Sequence, residues 1–159
     1  MRRRTLLAAL LAAPMFARAQ GVEPKGPQPE LPKEQLVIVT RDGVRHVFTV
    51  EMALTPTQQE VGEMFRTSVP LEGGMLFVWG VAHDSQMWMK NTLAPLDMVF
   101  INADGTIRSI AENTVPQSLA VIDSHGAVKA TLELAGGTTA RLNIRAGDKV
   151  LQRIFGNEG

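Results

Sequence analysis

The feature that most constrains the fold of this chain is one carboxylate inside an apolar run, Leu96–Ile101. Successive residues of a strand face opposite sides, which puts Leu96, Met98 and Phe100 on one face and Asp97, Val99 and Ile101 on the other. Both faces are apolar except at Asp97. The run therefore predicts a central strand that is covered on both sides.

A buried carboxylate is costly unless hydrogen bonds or an opposite charge compensate it. The nearest polar residues upstream form a polar triplet of Lys90, Asn91 and Thr92. A turn at Pro95 separates this triplet from Asp97. We expect Asp97 to accept hydrogen bonds from the triplet and to clamp two strands at a fixed corner. Two alternatives remain open: Asp97 lies at the exposed end of the strand, or it pairs with Lys90 while Trp88 belongs to the core.

Elsewhere the pattern predicts short strands joined by turns. Residues 45–53 and 128–134 alternate between apolar and polar side chains, which is typical of half-buried strands. Residues 80–85 are expected to form a polar loop, and residues 123–126 a turn. The fold expected is α+β and mainly β, a small barrel-like antiparallel or mixed sheet with one or two short helices.

A capping box predicts where one helix begins. Thr55 can cap it, Pro56 suits the first helical position, and Gln58 completes the box three residues after the cap. The apolar residues at helical spacing that follow are Val61, Met64 and Phe65. The helix is therefore expected to contain Gly62 and to end before Pro70.

The first 35 residues are predicted to lie outside the folded domain. Residues 1–19 have a basic start, a short apolar run and an Ala-x-Ala ending, which together indicate a cleavable secretory signal. We expect cleavage after Ala19 and a periplasmic or secreted protein; an uncleaved anchor and twin-arginine export are the alternatives. Residues 20–35 are rich in proline and predict a linker. One domain remains, over residues 36–155.

Charge argues against several kinds of partner. The chain has 16 Lys+Arg and 16 Asp+Glu, and loss of the signal removes four arginines and no acid, which leaves a net charge of −4. A mildly acidic protein has no electrostatic reason to bind nucleic acid or an anionic membrane. No membrane span is expected in the mature protein. Because the chain has no cysteine, its stability must come from its core.

Several motifs along the chain occur together in one known family. They are Gly73-Gly74-Met75-Leu76-Phe77-Val78, Met87-Trp88-Met89-Lys90-Asn91-Thr92, Pro95-Leu96-Asp97-Met98-Val99-Phe100-Ile101, Leu132-Glu133-Leu134 with Gly137, and Gly147-Asp148-Lys149-Val150. Over roughly residues 36–151 the chain resembles the domain of unknown function 192 family. The resemblance implies a small, single-domain, largely β, barrel-like fold with one or two short helices. It implies no established activity, so no catalytic residue is carried over.

The central stretch also supplies the candidate residues for a ligand site or structural clamp. They are Trp88, Lys90, Asn91, Thr92, Asp97 and Glu133. At the open end of a barrel, Lys90 would supply charge and Trp88 a flat apolar wall for a small ligand or an extracytoplasmic protein. No catalytic residue is predicted, because the chain lacks a cysteine nucleophile and a Gly-x-Ser-x-Gly elbow.

Two alternatives have a different chemistry. A periplasmic Cu(I)-binding protein would use soft and imidazole ligands around residues 83–89, namely His83, Met87 and Met89. A carboxylate-dependent hydrolase would pair Asp97 with Glu133 for acid–base work on a sugar. Neither pattern is specific. The sequence therefore favours an exported binding or accessory module without a cofactor over an enzyme, and it leaves the ligand and the oligomeric state unassigned.

Overall fold

A computed structural model describes residues 23–158. The elements in chain order are β1 (Lys33–Val39), β2 (Arg45–Ala53), α1 (Pro56–Val61), β3 (Gly73–Met87), β4 (Leu96–Ile101), β5 (Ile107–Ala111), β6 (Ile122–Ala135), α2 (Thr138–Arg141), β7 (Lys149–Leu151) and a 3-10 helix (Arg153–Phe155). The predicted signal, residues 1–19, lies outside the described residues.

The strands form one mixed, seven-stranded sheet in the order β5-β4-β6-β3-β2-β1-β7. β2 and β3 pair in parallel, and the other neighbours are antiparallel. The two edges of the sheet meet again, because Thr106 bridges to Lys149 and Val150 N donates to Gly105 O at 2.7 Å. The sheet is therefore a nearly closed barrel, and the predicted mainly β, barrel-like fold is confirmed.

The barrel interior is filled with apolar side chains. Every strand contributes to this core, which contains Leu36, Ile38, Phe48, Val50, Met52, Leu76, Val99, Ile101, Ile107, Ala130, Leu132, Leu134, Ile144 and Val150. A second cluster covers the outer face of β4 and contains Met89, Leu96, Met98, Phe100 and Val128. All six residues of β4 are buried, so the predicted central strand with two covered faces is confirmed.

β3 and β6 are longer than the sequence pattern predicts. Residues 80–85 continue β3, and residues 123–126 continue β6, where a loop and a turn were expected. The register between the two strands shifts between Val78 and His83 and again between Asp84 and Gln86. Such irregularities place extra residues in a strand and break the alternation on which the prediction depended.

α1 begins as predicted but ends earlier. Gln58 N donates to Thr55 Oγ1 at 3.3 Å and Thr55 N donates to Gln58 Oε1 at 3.0 Å, which completes the capping box. The helix ends at Val61 because Gly62 has a φ of 49°. A Cβ at Gly62 would lie 2.9 Å from the Phe77 ring. The glycine expected inside a helix is instead the residue at which the chain turns above the sheet.

The segment before β1 is attached to the barrel. β1 starts at Lys33, inside the predicted linker. Gln28 Nε2 donates to Gln58 O at 3.1 Å and to Gly62 O at 3.0 Å, and Leu31 N donates to Glu51 Oε2 at 2.8 Å. Residues 23–32, called the strap below, therefore contact α1 and β2, which their composition does not predict.

Candidate functional site

The clamp at Asp97 exists, but its hydrogen-bond donors are not the predicted ones. Asp97 is fully buried. Its Oδ1 accepts from Asn113 N at 2.7 Å and Gly137 N at 2.9 Å, and its Oδ2 accepts from both the N and the Oγ1 of Thr139 at 2.7 Å. These donors follow β5 and begin α2, where backbone N–H groups have no partner within the helix. Both alternatives, an exposed Asp97 and a pair with Lys90, are wrong.

The polar triplet bonds to its own turn and to a neighbouring loop. Asn91 has a φ of 56°, and Thr92 donates to Met89 O from its N at 3.1 Å and to Lys90 O from its Oγ1 at 3.2 Å. Asn91 O accepts from Phe65 N at 2.8 Å, which joins this turn to the segment after α1. Thr92 thus bonds within its own turn, and no residue of the triplet donates a hydrogen bond to Asp97.

Lys90 pairs with the strap. Its Nζ lies 2.6 Å from Glu23 Oε1 and 5.2 Å from the centroid of the Trp88 ring. Trp88 is 48% exposed, so its assignment to the core is wrong. Side chains fill the barrel interior, and the ligand site expected at its open end stays a prediction. Trp88 and Thr92 instead line a groove on the outer face of the sheet.

This groove lies between α1 and the outer face of β3 and β6 and has a volume of about 310 Å³. Gln59 Nε2 holds α1 in place by donating to Ala53 O at 3.1 Å and to Val78 O at 2.8 Å. The walls are aromatic rings and thioethers, from Phe77, Trp79, Trp88, Met64 and Met87. The acidic lining residues are Glu60, Glu63 and Glu133. Of the predicted site residues, the groove thus brings together Trp88, Thr92 and Glu133.

Two carboxyl groups that line the groove lack complete hydrogen bonding. Glu63 is 3% exposed and Glu133 is 4% exposed. In each, Oε2 has no hydrogen-bond partner. Arg66 Nη1 lies 3.1 Å from Glu63 Oε2, which is close enough for an ion pair, but the angles do not make a hydrogen bond. Buried polar atoms are usually bonded, so these two oxygens are the groups that a ligand in the groove could satisfy.

Burial sets the charge of this cluster. It raises the pKa of Glu63 to about 7, a shift that the charge of Glu51 supports and Arg66 opposes. Burial, followed by the charge of Glu63, raises the pKa of Glu133 well above its ordinary value. Glu51 differs: burial would raise its pKa, but hydrogen bonds from Arg66 at 2.7 and 2.9 Å and from Leu31 N lower the pKa below its ordinary value.

The carboxylate pair proposed for a hydrolase is not formed. In the pairing of β4 with β6, Asp97 lies opposite Leu134 and Glu133 lies opposite Met98. Directly opposed residues share a face of the sheet, whereas neighbours along a strand do not. Asp97 and Glu133 therefore lie on opposite faces, and the predicted pair is wrong. The described part of the chain shows no catalytic machinery.

The three residues proposed as copper ligands differ in exposure. His83 is exposed, with its ring centroid 5.2 Å from that of Trp79, and Met87 is partly buried. Met89 is fully buried, and its Sδ accepts from Thr114 Oγ1 at 3.1 Å. Within residues 23–158, no three His, Cys, Asp or Glu side chains are placed to hold a metal ion. That finding does not extend to thioether ligands, and the copper site stays a prediction.

The sequence did not identify Glu51, Glu63 and Arg66 as site residues. Glu63 and Arg66 were placed inside a longer helix, where charged residues are ordinary. Their i, i+3 spacing was a local signal, because it allows an ion pair. Nothing local connects them with Glu133, which comes from β6.

Comparison with known proteins agrees with the fold. The sequence model of the domain of unknown function 192 family, described as Uncharacterized ACR, matches residues 37–152. A candidate transcription regulator from Sinorhizobium meliloti 1021 is 45% identical, with a TM-score of 0.77 over 80% of this chain and 98% of its own. A protein of unknown function from Novosphingobium aromaticivorans DSM 12444 is 36% identical, with a TM-score of 0.74 over 94% of this chain and 99% of its own.

No curated protein matches the chain significantly. Within residues 23–158, no helix has the length and apolar character needed to cross a membrane. The family match covers most of the chain and agrees with the motifs around the central strand. This protein therefore belongs to the domain of unknown function 192 family, whose activity is not established.

Proposed function

We propose that this protein is an exported, non-catalytic binding module that takes a small molecule into the groove between α1 and the outer face of β3 and β6. The observation that carries the proposal is the pair of buried carboxyl oxygens, on Glu63 and Glu133, that lack hydrogen-bond partners beside aromatic walls. Leaving such groups unsatisfied costs about 1 to 3 kcal/mol each. A ligand that bonds to them recovers part of that cost.

The composition of the groove also suits a small ligand. Ligand sites are mostly apolar, with a few placed polar groups, and occupy roughly 300–1,000 Å³. The groove, at about 310 Å³, is at the small end of that range. Phe77 and Trp79, with ring centroids 5.9 Å apart, provide a continuous aromatic wall. A compact molecule of about the size of an amino acid suits this space.

A larger concavity of about 510 Å³ shares Glu63 with the groove but is a weaker candidate. Its main charged groups already bond to each other: Arg66 donates twice to Glu51, and Lys33 pairs with Glu30 at 3.1 Å. A ligand there would have to displace existing bonds. In the narrower groove, Glu133 Oε2 has no hydrogen-bond partner and Glu63 Oε2 has only the ion pair with Arg66.

Export and the absence of a nucleic-acid partner belong to the same proposal. The signal-like residues 1–19 support export, and the net charge of −4 that follows its removal gives no electrostatic support for binding DNA. Because the similar S. meliloti protein is described as a candidate transcription regulator, DNA binding should be measured. We expect no complex with double-stranded DNA in a mobility-shift assay at 0.15 M salt. An intact mass beginning at Gln20 in the extracytoplasmic fraction would support export.

Tryptophan fluorescence provides a direct test of the groove. The chain has two tryptophans and no tyrosine. Both tryptophans, Trp79 and Trp88, line the groove, so intrinsic emission reports on its occupancy. Native mass spectrometry of the protein from its own compartment is expected to show a retained small molecule, and removal of that molecule should change the emission.

A variant and a matched control locate the binding. Trp88→Ala removes an exposed wall residue and is expected to lose the retained molecule while the fold persists. Val81→Ala changes a residue of the preceding strand, β3, that is 81% exposed and does not line the groove, so it should keep the molecule. Retention by both variants, or no retained molecule together with no fluorescence response to a metabolite library, would contradict the proposal.

A further inference from the structure

Resting on the proposed function, we infer that the ligand of the groove is a small organic cation, an amine or guanidinium on an apolar body, whose N–H groups donate to Glu63 and Glu133. The two carboxyl groups are more than nine-tenths buried, and each presents an Oε2 without a hydrogen-bond partner. Both side chains line the same groove. Unsatisfied buried acceptors on two residues that line the same groove call for a donor, and two carboxylates favour a donor that carries positive charge.

The charges around the groove leave room for one more cation. Three carboxyl groups, those of Glu51, Glu63 and Glu133, share a single guanidinium, that of Arg66. The Arg66 guanidinium makes both of its hydrogen bonds to Glu51, at 2.7 and 2.9 Å, and lies 3.1 Å from Glu63 Oε2 without a hydrogen bond.

The rim does not supply the missing charge. None of the described residues that line the groove is a lysine or arginine, and the exposed Glu60 adds a further acid. The nearby Lys90 pairs with Glu23 at 2.6 Å. When Glu63 and Glu133 are ionised, residues 23–158 thus supply no further cation to the groove, and a bound ligand can supply it.

The apolar walls determine the rest of the ligand. Aromatic faces attract cations, and thioethers pack against rings and alkyl chains. Trp79 and Phe77 form one wall, while Met64 and Met87 add polarisable surface. A bare metal ion would not use these walls. An amine with an aromatic or aliphatic body of modest size would fill both parts of the groove.

Binding of such a cation is expected to release a proton. In the empty protein, burial raises the pKa of Glu63 to about 7 and that of Glu133 well above its ordinary value, so neutral carboxyl groups prevail at mildly acidic pH. A bound ammonium stabilises the carboxylate: the carboxyl O–H bond breaks, and the proton passes to solvent. Glu51 and Arg66 face the same cluster but stay paired. The affinity for the cation should therefore increase as the pH rises toward 7.

The test compares the affinities of three probes of similar shape and different charge, with tryptophan fluorescence as the measure of binding. They are phenethylamine, 2-phenylethanol and 3-phenylpropanoate. We expect phenethylamine to bind at least tenfold more tightly than the alcohol and the anion not to bind. The heat of phenethylamine binding at pH 6.5 should differ between phosphate and ACES, two buffers with different ionisation enthalpies, with the sign expected for a proton passing from the protein to the buffer.

Matched variants assign the effect to the two carboxyl groups. Glu133→Gln and Glu63→Gln imitate the neutral forms of the two side chains and should fold at pH 5 as the wild type does. At pH 7.5, each is expected to weaken the binding of phenethylamine at least tenfold without weakening the binding of 2-phenylethanol. Asp84→Asn, an exposed acid of β3 that does not line the groove, should change neither affinity. If the alcohol or the anion binds as tightly as the amine, the cation inference is overturned while the groove remains a binding site. If no probe binds, the inference is also overturned, and native mass spectrometry then decides the proposed function separately.

Discussion

At Asp97 a single side chain joins three parts of the chain that are distant in sequence. It holds the start of β4 to Asn113 after β5 and to Gly137 and Thr139 at the start of α2. In Asp97→Asn, the amide NH₂ would face N–H or O–H donors on one side, so at least one buried bond becomes a donor–donor contact. We expect a loss of about 3 kcal/mol in the free energy of unfolding, measured by denaturant titration.

Asp84→Asn is the matched control for that substitution. Asp84 is an exposed acid in β3, and the same change should alter stability by less than about 0.5 kcal/mol. Thr139→Ser, which keeps the hydroxyl and the backbone donor, should retain most of the clamp. Equal stabilities of the Asp97→Asn and Asp84→Asn proteins would show that the four bonds contribute nothing net.

Glu63 makes the stability of the fold depend on pH with an unusual sign for an acid. Its pKa is about 7 in the folded protein against 4.5 ordinarily, so between these values the folded state binds more protons than the unfolded state. The free energy of unfolding must then fall as pH rises from about 4.5 to about 7, by up to about 3 kcal/mol. The free energies of unfolding of Glu63→Gln and the wild type should differ little at pH 4.5, and at pH 8 the variant should be the more stable protein. A pH-independent difference, or one shared by Glu60→Gln, would refute this assignment.

At the scale of elements, the capping box fixes the start of α1, the helix that forms one wall of the groove. Thr55→Ala removes the acceptor for Gln58 N at 3.3 Å and should lower the free energy of unfolding by about 1 kcal/mol. Thr57→Ala, an exposed substitution inside the same helix, is the control and should have a smaller effect. Thermal unfolding of the two variants side by side makes the comparison, and a Thr57→Ala loss as large as that of Thr55→Ala would contradict it.

The elements that could be predicted are those set by local chemistry. The alternation in Leu96–Ile101 and the box at Thr55 depend on neighbouring residues alone, and both are confirmed. β3 and β6 were predicted too short because their bulges interrupt the alternation of apolar and polar residues. α1 was predicted too long because Gly62 was not expected to take a positive φ. Local patterns do not show where such irregular residues fall.

The groove was only partly predictable for the same reason. Trp88 was identified from its motif and Glu133 from the family-like segment, and both line the groove. Glu63 was not, because its relation to Glu133 exists only when α1 is folded over β3 and β6. The clamp was predicted with the right acceptor and the wrong donors, since the N–H groups that reach Asp97 come from Asn113, Gly137 and Thr139, which lie 16, 40 and 42 residues further along the chain.

At the scale of the whole molecule, closure of the barrel protects the two strands that would otherwise be edges. β5 and β7 end the sheet, and unpaired edges promote association with other chains. Ile107 N donates to Asp148 O and Gly147 N donates to Ile107 O, both at 2.8 Å, which adds two bonds to the contact between Gly105 and Val150. The closure thus depends on hydrogen bonds between backbone groups, which the pattern of side chains in the sequence does not predict.

Gly105 is where this closure can be tested. It has a φ of +85°, and a Cβ there would lie 2.5 Å from Val150 O. Gly43, in the turn between β1 and β2, has nearly the same φ of +84°, but a Cβ there would meet no atom within 4 Å, so Gly43→Ala measures the backbone strain alone. We expect Gly43→Ala to cost about 1 kcal/mol of stability and Gly105→Ala about 3, because the latter must also push β7 away from the β5 side. Hydrogen exchange should then accelerate at the amides of Ile107 and Val150 in Gly105→Ala and not in Gly43→Ala. Equal losses in the two variants, with unchanged exchange at these amides, would mean that the barrel does not need this contact to stay closed.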